Sequence, residues 1–283
     1  MPSDQITTIG DGWLADRLRG TYHPILVILA PPRSGSTALA RAFWQHPAFG
    51  WYLHEPYDTA YHHDAGRSGL AAALDNPLAL TDLHATPKGH ATPKGHAIPK
   101  GRGLVIKEMT FQAGTAVVDL FAAATPPMII GIRDPRLSIQ SRMRRRKADG
   151  LSTEFPPEET GWPDLVTAVA DADQRGDSYV VVETTMLRNR PREILSALCE
   201  KIGLPYSNHM LHWPTAPDTQ LGQLGKEQHR WYSRVLSSAG FLPATEKIPA
   251  TDDFPEDMRA HVAECLDAYQ TLLTSSHLVR AEL

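Results

Sequence analysis

The residues with the clearest chemistry are a seven-residue run, Pro31-Pro32-Arg33-Ser34-Gly35-Ser36-Thr37. The run joins a short apolar stretch, residues 24–30 (PILVILA), to a segment of helical composition, residues 37–46 (TALARAFWQH). The first amides of a helix have no intrahelical acceptor and sit at the positive end of its dipole, so a loop that enters a helix from a strand is an anion site. Gly35 lets the backbone approach the anion closely. Ser34, Ser36 and Thr37 add hydroxyl donors, and Arg33 adds a forked, permanent positive charge. The nucleotide-hydrolase loop GxxxxGK[ST] puts a lysine and then a hydroxyl after its last glycine. Here the cation precedes the glycine by two residues and no Gly-Lys pair follows. That difference argues against a kinase or an ATPase and suits an anion handled without magnesium-bridged phosphates.

Such a loop needs a sheet behind it. The 24–30 run is rich in branched residues, as a strand buried on both faces must be. Strand-like runs recur at residues 104–107 (LVIK), 128–132 (MIIGI) and 179–183 (YVVVE), separated by helical segments at 113–124 and 137–147. Pro191 stands at a first helical position before REILSALCEKIG, which ends in a glycine cap at Gly203. Alternating strands and helices predict an α/β fold, a central parallel sheet flanked by helices on both faces, with ligands at the carboxyl ends of the strands. We expect a single domain over 1–283, interrupted by an insertion at about 85–102. There ATPKGH occurs twice and is followed by AIPKGR. Its prolines and glycines suit neither helix nor ladder strand, so it reads as a surface linker, or as a substrate lid carrying Lys88, Lys94, Lys100 and Arg102.

With the loop and the elements in place, the sequence resembles the sulfotransferase superfamily that uses 3′-phosphoadenosine 5′-phosphosulfate (PAPS). PPRSGST is similar to that family's 5′-phosphosulfate loop, with Arg33 ahead of Ser-Gly-Ser-Thr. The family's second signature, an arginine at a strand end and a serine eight positions later, is matched by Arg133 and Ser141 in IRDPRLSIQS. The resemblance implies that both hold the donor's 3′-phosphate, and about a turn and a half of helix between them brings Ser141 back toward it. A looser likeness spans residues 180–205, where Thr184-Thr185-Met186 replaces the family's Tyr-Glu-Asp. The resemblance covers about residues 24–57 and 104–242.

The reaction it implies is in-line transfer of a sulfuryl group to a hydroxyl, which needs cations at the leaving oxygen and a base for the acceptor. Arg33 is the first choice for the leaving side, and Lys107 matches the lysine of the family's K-T-H segment. The histidine of that segment is replaced, since Glu108 and Met109 follow Lys107. Carbohydrate-acting members instead place a glutamate some twenty to thirty residues after the loop. Glu55 in LHEP fits that plan and is expected to have its pKa raised by burial; His54 and Glu108 are the other candidates. Lys226 and Arg230, four apart on one helix face, are placed to reach the 3′-phosphate, as the basic C-terminal segment does in relatives.

Net charge −4 gives no reason to expect a nucleic-acid partner, and the basic run at 142–147 (RMRRRK) is local. No stretch has the ~20 apolar residues that cross a bilayer. The two cysteines, Cys199 and Cys265, fall in helical segments and in no CxxC pattern, so no metal and a reducing, cytoplasmic setting are expected. The expected partner is a small-molecule hydroxyl acceptor, and nothing assigns an oligomeric state. The alternatives are a P-loop phosphotransferase using a nucleoside triphosphate and a non-catalytic module that binds 3′,5′-bisphosphates.

Overall fold

The computed structural model describes residues 12–63, 65–80, 101–223 and 226–281, and in the last stretch side chains are described from 229 onward. The repeats at 85–100 lie outside the described residues.

Six strands form one sheet in the order β3-β2-β4-β1-β5-β6. They are β1 (Ile25–Ala30), β2 (Phe49–His54), β3 (Leu78–Ala79), β4 (Gly103–Met109), β5 (Met128–Ile132) and β6 (Tyr179–Glu183). All neighbours run parallel except β3, which is antiparallel to β2. Every residue of β1 is buried. Its side chains alternate: Ile25, Val27 and Leu29 enter one apolar core, while Leu26 and Ile28 enter the other. The two cores explain why the strand reads as a continuous apolar run.

The helices are α1 (Trp13–Arg19), α2 (Ser36–Trp44), α3 (Asp58–His62), α4 (Gly66–Leu74), α5 (Thr110–Ala113), α6 (Val117–Ala123), α7 (Pro135–Ala148), α8 (Trp162–Arg175), α9 (Thr184–Asn189), α10 (Pro191–Lys201), α11 (Lys226–Leu236) and α12 (Glu256–Thr274). Residues of α1, α6, α8 and α12 fill the first core, and residues of α2, α10 and α11 fill the second. The expected helix over 113–124 is broken into α5, a tight turn at Gly114–Ala116 and α6. Gly114 has φ +48° there, a conformation that glycine supplies without strain. At α10, Pro191 is indeed at the start and Gly203 ends the helix at φ +70°, with the Leu204 amide on the Cys199 carbonyl at 2.9 Å.

The strand order fixes where a ligand goes. The connection leaving β1 runs through α2 on the face of the second core, while those leaving its neighbours β4 and β5 run through α6 and α8 on the face of the first, so they diverge and open a crevice over β1. The described residues that flank 81–100 sit at the other end of the sheet. The Leu80 amide bonds the Gly50 carbonyl, the Gly101 amide bonds that of Pro47, and Arg102 donates to the Thr21 carbonyl. No helix among the described residues is long and apolar enough to cross a membrane.

Candidate active site

A cavity of about 710 Å³ fills the crevice, and Arg33, Gly35, Ser36 and Thr37 form part of its wall. Two left-handed residues, Arg33 at φ +61° and Gly35 at φ +83°, turn the chain from β1 into α2. Ser34 does not face the cavity. It is buried and donates to the Pro31 carbonyl at 2.6 Å, while the Thr184 hydroxyl donates to the Ser34 carbonyl at 2.5 Å. Ser34 therefore ties the loop down, and the hydroxyls left for a ligand are those of Ser36 and Thr37. A Cβ on Gly35 would lie 3.4 Å from the Thr184 hydroxyl, on a backbone that L-residues reach only at a cost of about 1–2 kcal/mol. Gly35→Ala should lower stability by about that much in chemical denaturation and weaken anion binding; an unchanged midpoint would mean that the loop adapts.

Three elements converge on the loop. Arg33 Nε donates to Ser141 on α7 at 3.2 Å, its Nη1 donates to the Trp231 carbonyl on α11 at 3.0 Å, and its guanidinium lies over the Trp231 ring at 5.7 Å. Arg133 leaves β5 and donates to the Arg33 carbonyl at 3.4 Å. Asp134 caps α7 by accepting from the Arg136 amide, and Pro135 opens that helix. Burial and the charges of Arg133, Arg145 and Arg142 hold the Arg33 pKa below its ordinary range. Burial, with Arg188 as the nearest like charge, does the same to Arg133. Crowded guanidinium groups of this kind are relieved by an anion between them. Two partners of Arg133 were not foreseen. Glu246 lies 3.3 Å from it and 3.2 Å from Arg188, which also donates to the carbonyls of Leu242 and Pro243. The Lys226 side chain lies outside the described residues; Arg230 is 3.4 Å from Asp149.

The β4 pleat sorts the next residues. Lys107 and Met109 face the cavity, and Glu108 between them does not. Glu108 is fully buried and accepts the amides of Tyr57 at 2.9 Å and Met109 at 2.6 Å, and burial pushes its carboxyl well above the usual carboxylate range. It holds a turn and does not face the reaction. Glu55 follows β2 at φ +48°, with its amide on the Lys107 carbonyl at 2.7 Å. Its Oε1 takes the Lys107 ammonium and the Tyr232 hydroxyl at 2.7 Å, and His54 Nε2 lies 3.2 Å away without a hydrogen bond to it.

The expectation that burial raises the Glu55 pKa is corrected here. Burial does push it up, but the Lys107 ammonium and the hydrogen bonds outweigh that and hold the carboxyl below its ordinary value. Glu55 and His54 stand behind the cavity wall, while Lys107 and Tyr232 are part of it. Burial pushes the His54 imidazole down to about 3, which leaves it uncharged beside the carboxylate.

Trp44, Tyr52 and Tyr57 are core residues. His62, not anticipated, faces the cavity with Nε2 3.4 Å from the buried Asp58, which Gln112 fixes at 2.7 Å. Cys199 and Cys265 are buried free thiols. Among the described residues no His, Cys, Asp or Glu group has the makings of a metal site.

Comparison with known proteins bears on this geometry. A family model described as a sulfotransferase domain matches residues 164–269. Two curated relatives are branched-chain-amino-acid aminotransferase-like proteins 2 and 1 of Arabidopsis thaliana, 28% identical over 114 residues and 31% identical over 93. Those stretches are 40% and 33% of this chain but only 19% and 16% of the relatives, so the chain spans under a fifth of their length. A solved structure, the sulfotransferase domain from the Synechococcus PCC 7002 olefin synthase, superposes with a TM-score of 0.51. The superposition covers 88% of this chain and 95% of that domain at 17% identity, a likeness of fold. The chain thus shares the fold of a sulfotransferase domain around its anion loop, and residues 164–269 are similar to the sulfotransferase-domain family.

Proposed function

We propose that the protein transfers a sulfuryl group from PAPS to a hydroxyl of a small-molecule acceptor. One observation carries the reading: Arg33 and Ser141, 108 positions apart, meet at 3.2 Å beside Arg133. That contact joins the loop suited to a 5′-phosphosulfate to the pair suited to a 3′-phosphate, in the same cavity as Lys107. The depressed Arg33 and Arg133 and the amides at the start of α2 fit such a donor. Phe241 and Leu242, which also line the cavity, offer an apolar face to a base.

When bound, the donor supplies an activated sulfur–oxygen bond that breaks as the acceptor oxygen bonds to sulfur, with the electron pair leaving on the 5′-phosphate oxygen. Arg33 and Lys107 stabilise the charge that develops across that bond. Tyr232 faces the cavity and already donates to Glu55. It takes the acceptor's proton on its oxygen while handing its own to Glu55, so the proton ends on a carboxylate and Tyr232 is unchanged. A sulfate ester and adenosine 3′,5′-bisphosphate result.

The test is calorimetric titration with adenosine 3′,5′-bisphosphate in the absence of magnesium. The expected result is micromolar binding that Arg133→Ala weakens by about tenfold or more, since each tenfold is about 1.4 kcal/mol. No binding to the wild type would remove the donor assignment and return attention to a magnesium-dependent nucleoside triphosphate.

A further inference from the structure

The charge of the cavity exceeds what this donor needs. The chain as a whole carries net charge −4, yet eight arginines and Lys107 line the cavity against two carboxylates, Glu159 and Glu246. A bound donor brings about four negative charges, two on the phosphosulfate and close to two on the 3′-phosphate. Lys107 and Arg230 are already met by Glu55 and Asp149 just behind the wall, so about one positive charge remains. Like charges gathered in one concave, partly desolvated place repel one another, and they focus their field on whatever anion enters.

The contacts show which cations are already engaged. Arg142 is paired with Glu159 and stacks over Phe111 and Phe155, and Arg146 donates to the Ser152 carbonyl. Arg230 is held at 3.4 Å by Asp149. Arg144 and Arg234 are exposed, line the cavity and have no hydrogen bond, ion pair or stacking partner among the described residues. Their positions are related through Arg33. Arg33 bonds Ser141 on α7 and the Trp231 carbonyl on α11. Arg144 and Arg234 each follow those contacts by three residues, about one helical turn along their helices. Each helix therefore contributes one free, exposed guanidinium to the lining of the cavity that also holds Arg33.

We propose that the hydroxyl acceptor carries an anionic group of its own, a phosphate or a carboxylate, which Arg144 and Arg234 clasp at the cavity mouth. The acceptor's hydroxyl then points inward to Lys107 and Tyr232. This rests on the sulfuryl-transfer reading above. A guanidinium presents two parallel N–H groups to either kind of oxyanion, so two of them on one anion fix orientation as well as charge.

The experiment keeps the two readings separable. The protein is first saturated with adenosine 3′,5′-bisphosphate and then titrated with inorganic pyrophosphate at physiological salt, as wild type and as Arg144→Gln/Arg234→Gln. A parallel titration uses tricarballylate, which has three carboxylates and no phosphorus. The proposal expects the saturated wild type to bind at least one of these probes, the tighter one naming the acceptor's anionic group. It also expects the double variant to weaken that binding tenfold or more, while affinity for the bisphosphate changes less than about threefold. If neither probe binds, or the variant leaves probe binding unchanged, the proposal falls and the donor assignment stands. If the variant weakens the bisphosphate as strongly as the probe, the two arginines belong to the donor site and the proposal is again overturned. If the bisphosphate itself does not bind the wild type, the failure lies with the donor reading.

Discussion

Glu55→Gln should lower kcat by about 10²–10⁴-fold, the range for removing a general base, while the affinity for adenosine 3′,5′-bisphosphate stays within about twofold. The amide is nearly isosteric but cannot take a proton. It also leaves the Lys107 ammonium without its counter-charge in a place where both side chains are almost fully buried. Tyr232→Phe should cost part of the same factor, because it removes the relay and leaves the carboxylate. The pH dependence follows from the direction of the Glu55 shift. A carboxyl held below its ordinary value is ionised above that value and loses the base form only as pH falls through it. Between about pH 5.5 and 8, kcat should therefore be flat with respect to this group. A kcat that instead rises through a pKa below the ordinary imidazole value would assign the proton to a histidine held down by burial. His62 would then be the residue to replace, since it faces the cavity with its ring oriented by Asp58.

Contiguity decides which parts of this site were legible in the sequence. The β1 strand, the PPRSGST loop and α2 occupy twenty consecutive residues, and local chemistry alone specifies them, because a two-sided strand must be apolar and a helix start must leave amides free. Arg133 and Ser141 were singled out by the family signature they resemble, and the helix that opens between them keeps the two on one side. The inward turn of Ser34 was not, because it depends on Thr184, 150 positions away. Nor was the sign of the Glu55 shift. Burial is written in the apolar run around it, but the ammonium that reverses the effect comes from position 107 on a neighbouring strand. The β4 pleat then settles a choice that composition left open, giving Lys107 to the cavity and Glu108 to the turn at Tyr57. Arg188 and Glu246 lie in segments with no local signature of a site, Tyr232 follows Arg230 on a helix read for its cations alone, and only the fold gathers the three.

Glu246 gives the second large effect. Its carboxylate lies between Arg133 and Arg188, on the cations that the proposed 3′-phosphate requires. The segment that carries it is tied to α9 through the Arg188 bonds to Leu242 and Pro243 and through the Ala244 amide on Asn189. A phosphate arriving at Arg133 therefore meets a carboxylate held low by Arg188 and Arg133, and ionised at neutral pH. Like charges in contact cost several kcal/mol when dry, and solvent and salt reduce that at this partly exposed position. Glu246→Gln should thus tighten adenosine 3′,5′-bisphosphate about thirtyfold, with much less change for adenosine 5′-phosphate, which has no 3′ charge to repel. The contrast between the two nucleotides is the diagnostic part, since a general loosening of the segment would shift both. Weaker binding of the bisphosphate by the variant would mean the reverse, that Glu246 orients Arg133 for the phosphate and does not compete with it.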